Sequence, residues 1–127
     1  MLARILVVDD EPVVADSLAT IFRASGYMAE AVYSGEEALN LIEINPPSLI
    51  VTDVMMPGLN GVELAKLIQI AYPDCPILLF SGDTNAQGLL HAAHLNGRSF
   101  EVLNKPVYPP ELLAKVATLL TQNIAQA

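Results

Sequence analysis

Short apolar runs alternate along this chain with longer stretches in which apolar residues recur at helical spacing. Residues 4–8, Arg-Ile-Leu-Val-Val, are β-branched and almost continuously apolar, the pattern of a strand covered on both faces. Residues 48–52 and 77–80 have the same character. After the first run, Val14, Leu18, Ile21 and Phe22 share one helical face, with Asp16, Thr20 and Arg23 on the other. Pro12 opens this helix, where its missing N–H costs nothing, and Gly26 closes it as a left-handed cap. Residues 27–33 alternate weakly and read as a second strand.

Ser34-Gly35-Glu36-Glu37 fits a capping box, with Ser34 as N-cap and Glu37 reaching back to it. Ala38, Leu41, Ile42 and Asn45 carry this second helix to Pro46-Pro47, which stop it. Asn60 caps a third helix whose apolar face is Val62, Ala65, Ile68 and Tyr72. A fourth helix is expected over residues 84–95, closing at Asn96-Gly97, although Gly88 and an Ala-rich pattern weaken it. Residues 99–103 read as strand five. A fifth helix follows Pro109-Pro110, burying Leu112, Leu113, Val116, Leu119 and Leu120, and residues 121–127 form its polar, fraying end. Five strand-helix units in succession imply an α/β fold, with parallel strands and helices on both faces. A length of 127 residues suits one domain, with no linker, repeat or low-complexity segment.

Composition narrows the classes. Hydrophobic residues make up 53% and charged residues 16%, which excludes a disordered chain. No apolar run approaches the ~20 residues of a membrane helix, and the first strand begins too early to leave room for a signal peptide. The single cysteine, Cys75, excludes an internal disulfide, reads as a packed small residue, and fits a reducing compartment. A cytoplasmic protein is the expectation. The net charge of −8 argues against nucleic acid or an anionic membrane as a partner, and leaves proteins open.

Chemistry gathers at the strand ends. Strand one runs into Asp9-Asp10, strand three into Asp53 with a Pro57-Gly58 turn beyond, strand four into Ser81, and strand five ends near Lys105. Open α/β sheets form sites outside the carboxyl ends of their strands, at the switch point of strand order. If that order is 2-1-3-4-5, strands one and three are neighbours and three carboxylates converge. Such a cluster calls for a cation, and Mg²⁺ suits oxygen ligands beside phosphate. With Lys105 as a fixed charge and Ser81 as a hydroxyl donor, Asp53 can serve as a nucleophile toward phosphorus. Each residue alone has a plainer reading. Asp9, Asp10 and Glu11 suit a helix start, Asp53 a turn, Ser81 a cap and Lys105 the surface. Their joint placement at four strand ends favours the site. His91 and His94 fall on helix four, away from this rim, and Met55 and Met56 read as packed loop residues.

Asp9-Asp10, Asp53-Val54-Met55-Met56-Pro57-Gly58, Ser81-Gly82 and Lys105-Pro106, in this order, resemble the receiver domain of two-component response regulators. The likeness covers essentially the whole chain. It implies a flavodoxin-like, doubly wound, five-stranded parallel sheet of order 2-1-3-4-5, forming one receiver domain over residues 1–127 with helix five and its tail at 107–127. It implies that Asp53 accepts a phosphoryl group from a histidine kinase or histidine phosphotransfer protein. Asp10, Asp53 and the Met55 carbonyl would ligate Mg²⁺, with Asp9 acting through water, while Ser81 and Lys105 meet the phosphoryl oxygens. The Lys105-Pro106 peptide would be cis. The resemblance further implies a switch and not an enzyme, with output to a protein partner through helix four, strand five and helix five. Two features depart from the family or tune it. Val102 stands where receivers often carry an aromatic ring three residues before the lysine, and the nearest rings are Phe100 and Tyr108. Met55 and Asp83 would border the phosphoryl group and tune its lifetime. Three rival readings fit the sequence less well. A dehalogenase-type phosphatase needs a second Asp where Met55 stands. A flavodoxin-like electron carrier needs a phosphate-binding loop after strand one. A degenerate receiver would lack acceptor residues that are present here.

Overall fold

Five parallel strands build the centre of the molecule: β1 (Arg4–Val8), β2 (Met28–Val32), β3 (Leu49–Asp53), β4 (Ile77–Ser81) and β5 (Glu101–Asn104). They hydrogen-bond in the order β2-β1-β3-β4-β5, which is the expected doubly wound sheet. The structure, a computed structural model, describes residues 2–82, 101–106 and 108–126, with side chains through residue 121. Four helices are among the described residues: α1 (Pro12–Ala24), α2 (Gly35–Ile44), α3 (Gly61–Ala71) and a C-terminal helix (Pro109–Gln126). The helix expected over 84–95, with His91 and His94, lies outside them, as do Phe100 and Asp83.

The strand pleat sorts side chains into two cores. Ile5, Val7, Leu49, Val51, Leu78, Phe80 and Leu103 face α1 and the C-terminal helix, where they meet Ala15, Leu18, Phe22, Leu112 and Val116. Leu6, Val8, Ile50, Ile77 and Leu79 face α2 and α3, where they meet Ala38, Ile42, Val62, Ala65 and Ile68. All five residues of β3 and of β4 are buried, as the unbroken apolar runs require. Val102, half-buried, packs against the second of these cores.

Local chemistry sets the helix ends. Pro12 occupies the first turn of α1, and Gly26 follows that helix at φ 96°. Asn60 and Glu63 form a reciprocal capping box on α3, with bonds of 2.9 and 3.0 Å. The box expected on α2 is shifted by one residue. Ser34 Oγ accepts from Glu37 N at 3.0 Å, whereas the Glu37 carboxylate accepts from Tyr33 N at 2.9 Å and not from the cap itself. The C-terminal helix already includes Pro109 and runs on through residue 126, so the expected fraying tail is helical. Of the two loop methionines only Met56 packs, while Met55 is 39% exposed.

Leu112 anchors the C-terminal helix in the first core and is fully buried. Leu112→Ala is expected to lower unfolding free energy by about 2–5 kcal/mol, read from the shift of the urea midpoint.

Candidate functional site

The sheet ladder carries the site residues past the ends of the apolar runs. Asp53 and Ser81 are not loop residues but the last residues of β3 and β4. Asp53 lies opposite Phe80 and Ser81 opposite Asn104. Three further backbone bonds extend the ladder: Asp9 N to Val32 O at 3.2 Å, Val54 N to Phe80 O at 3.0 Å, and Lys105 N to Ser81 O at 3.0 Å. Positions 9, 53, 81 and 105 are therefore fixed by main-chain geometry at one rim, and their side chains need supply no scaffold of their own.

At that rim, ligand oxygens of Asp9, Asp10 and Asp53 lie within 4.8 Å of one another. Lys105 Nζ sits 3.3 Å from Asp53 Oδ1 and 4.0 Å from Asp9 Oδ2. Asp10, Asp53, Met55, Ser81 and Lys105 line a cleft of about 310 Å³. A hollow of about 390 Å³ at the other end of the sheet, between Pro46, Pro47, Tyr72 and Cys75, gathers no such set of charges. Asp9, Asp10, Asp53, Met55, Ser81 and Lys105 thus meet at one rim, while Asp83 lies outside the described residues.

Burial and charge act against each other here. Asp9 is 1% exposed and Asp53 8% exposed. Burial pushes the Asp9 carboxyl up to about 6. The Glu11 amide and Lys105 pull it down, and the neighbouring Asp53 and Asp10 charges push it further up. Burial also raises Asp53, opposed first by Lys105 and then by the Val54 amide, while Asp10 adds to the rise. Asp9 Oδ1 accepts from Glu11 N at 3.0 Å, but the buried Asp9 Oδ2 has no hydrogen-bond donor. An unmatched buried oxygen beside two further carboxylates fits a hard divalent cation.

Two glycines make the geometry possible: Gly61 was not singled out in the sequence, and Gly82 was named only as part of the Ser81-Gly82 motif, without its packing role. A Cβ on Gly61 would collide with the Asp53 carbonyl oxygen and crowd Val54 Cα, so only glycine lets α3 start this close to β3. Gly61 N then donates to Val54 O at 2.9 Å, closing the loop that carries Met55. A Cβ on Gly82 would stand 2.8 Å from Lys105 Cβ, in the path of the lysine stem. Gly61 follows a visible cap residue and Gly82 follows Ser81, but neither close approach is a local property of the sequence. Thr52, fully buried, donates from Oγ1 to the Asp53 carbonyl at 3.0 Å and was also missed.

A doubly wound sheet with an acidic, lysine-bearing cleft at its switch point defines a class of open α/β proteins whose sites lie outside the carboxyl ends of the strands. Within that class, residues 5–117 match the family model "response regulator receiver domain", and the chain belongs to that family. It is 38% identical over 120 residues to the response regulator MprA of Mycobacterium sp. (strain KMS), covering 94% of this chain and 51% of MprA. The chain therefore spans about half the length of the curated relatives it matches. A CheY-like receiver domain protein from Methanospirillum hungatei JF-1 superposes with a TM-score of 0.89 at 27% identity, covering 100% of both chains. A receiver domain protein from Clostridium thermocellum superposes equally well, TM-score 0.89, at 24% identity over 99% of this chain and 100% of its own. Receiver domains are in general signalling switches that bind Mg²⁺ at an acidic pocket, and the cluster of Asp9, Asp10 and Asp53 matches such a pocket. Among the described residues, no helix is long and apolar enough to cross a membrane.

The Asp9 shift makes stability depend on pH. Its unfolded pKa is near 3.8 and its folded pKa about 6, so the folded state holds the proton longer. Stability contributed by this group is present below about pH 4, is lost as pH rises to about 6, and stays lost above. Asp9→Asn is therefore expected to raise metal-free stability at pH 7 by about 1–3 kcal/mol, with the gain vanishing below about pH 4. Chemical unfolding in chelator across that range checks it.

Proposed function

We propose that this chain is a phosphorylatable switch of a two-component system, with Asp53 as its acceptor and residues 1–127 acting as one receiver domain. The observation that carries the proposal is Asp53 itself: a carboxylate at the tip of β3, 3.3 Å from the Lys105 ammonium, in a cleft it shares with Asp9 and Asp10. The donor would be a phosphohistidine of a histidine kinase or histidine phosphotransfer protein. An Asp53 oxygen attacks phosphorus, the P–N bond breaks, and the electron pair leaves with the imidazole, forming an acyl phosphate.

Two groups of this chain serve the step. Lys105 favours the charged form of the buried nucleophile against the cost of burial, then faces the phosphoryl oxygens with a permanent positive charge. Ser81, at the end of the adjacent strand, offers its hydroxyl to one of those oxygens. Asp10, Asp53 and the Met55 carbonyl would hold Mg²⁺, with Asp9 behind them acting through water. When bound, Mg²⁺ neutralises the crowded carboxylates and the charge on the phosphoryl group.

Met55, two residues after the acceptor, weighs against a turnover phosphatase. Met55 lines the cleft, and its thioether side chain has no proton to give or take. The output is a changed surface around β5, the C-terminal helix and the segment joining β4 to β5, offered to a protein partner. With Val102 in place of an aromatic ring, Ser81 carries the coupling from the phosphoryl group.

Incubation with acetyl phosphate and Mg²⁺, followed by intact-mass measurement, should show a gain of one phosphoryl group that Asp53→Asn abolishes. No gain from acetyl phosphate or from a phosphorylated kinase would overturn the proposal. Because Met55 cannot position a water molecule, the phosphoryl group should persist beyond a few seconds without any phosphatase; decay within that time, followed by the same mass measurement, would refute this part.

A further inference from the structure

The loop between β3 and α3 carries the Met55 carbonyl, so whatever fixes this loop bears on the metal site. Its base is closed by Gly61 N to Val54 O at 2.9 Å, and one flank is held by the buried Met56 side chain. Its tip, at Gly58 and Leu59, rests on a different element, the first turn of α2.

Three contacts describe this seat. Leu59 N donates to Glu36 Oε2 at 3.3 Å, across 23 residues of sequence. Gly58 takes φ 72°, a left-handed conformation that favours glycine, and a Cβ there would stand 2.9 Å from the same Glu36 oxygen. A Cβ on Gly35 would stand 2.9 Å from the Leu59 carbonyl oxygen, so α2 and the loop backbone approach as closely as a glycine allows. The side-chain cap of α2 is made by other residues. Ser34 accepts from Glu37 N, and the Glu37 carboxylate holds Tyr33 N.

We infer that Glu36, seated between Gly35 and the 58–59 tip, is a positioning residue for the metal-binding loop. By holding the Leu59 amide it restricts the paths open to residues 55–59, and so keeps the Met55 carbonyl aimed into the cleft. This rests on the proposed Mg²⁺ site. Glu36 would not touch the cation. It would act through the backbone conformation of the loop.

The test compares Glu36→Ala, Glu36→Gln and Gly35→Ala in the unphosphorylated full chain. Hydrogen exchange at the Leu59 amide, measured without metal, should accelerate about three- to fivefold in Glu36→Ala and little in Glu36→Gln, which keeps an acceptor oxygen. Mg²⁺ titration followed at the Val54 and Met55 amides by NMR should give a Kd about two- to fivefold weaker for Glu36→Ala and near wild type for Glu36→Gln. Gly35→Ala displaces the Leu59 backbone without removing a charge and should weaken Mg²⁺ at least as much. Unchanged Mg²⁺ affinity in Glu36→Ala or Gly35→Ala overturns the inference. Equal weakening in Glu36→Ala and Glu36→Gln also overturns it, in favour of long-range charge. A wild-type chain that does not titrate with Mg²⁺ removes instead the metal site on which the inference stands.

Discussion

The contact between Lys105 and Asp53 is the interaction around which the rim of this sheet is organised. Burial raises the cost of ionising both Asp53 and Asp9, the Asp53 charge adds to it at Asp9, and the Asp10 charge adds to it at both. One ammonium at 3.3 Å from the first and 4.0 Å from the second offsets part of that cost. It cannot offset all of it, since Asp9 keeps an unmatched buried oxygen. The cleft is thus short of positive charge, and that shortage suits both a divalent cation and an incoming phosphoryl group with its metal.

Lys105 can do this because of features well away from its charge. Its backbone is tied to Ser81 at the end of β4, and the room for its stem is the missing Cβ of Gly82. Asp53 is held in the same way, by its pairing opposite Phe80 and by the close approach of Gly61. The doubly wound sheet supplies the rigid part, since β3 and β4 are buried throughout. The loop carrying Met55 is tied to that frame at its base, where Gly61 N donates to Val54 O.

Much of this was legible along the chain. Unbroken apolar runs ending in Asp9, Asp53 and Ser81 marked buried strands that deliver polar groups to one rim, because a strand wet on neither face can carry a polar group only where its apolar run stops. Pro12, Gly26 and Asn60 marked helix ends through backbone rules that act within a few residues. Where reading failed, the deciding contact was between elements. Glu37 was expected to return to Ser34, yet it bonds Tyr33, since the extended approach to α2 brings that amide within reach. Met55 was expected to pack, yet it is exposed, because the loop turns its neighbour Met56 into the core.

The sequence by itself determined the alternation of strands and helices, the burial of the central strands and the residue types at their tips, because these follow from periodicity and from chain-local capping. Tertiary structure alone decided that Gly61 must lack a side chain beside the Asp53 carbonyl, that Gly82 must leave space for Lys105, and that Glu36 meets the loop at Leu59. Those contacts join residues 8 to 23 positions apart in the chain, and they exist only once the sheet order has brought their elements together.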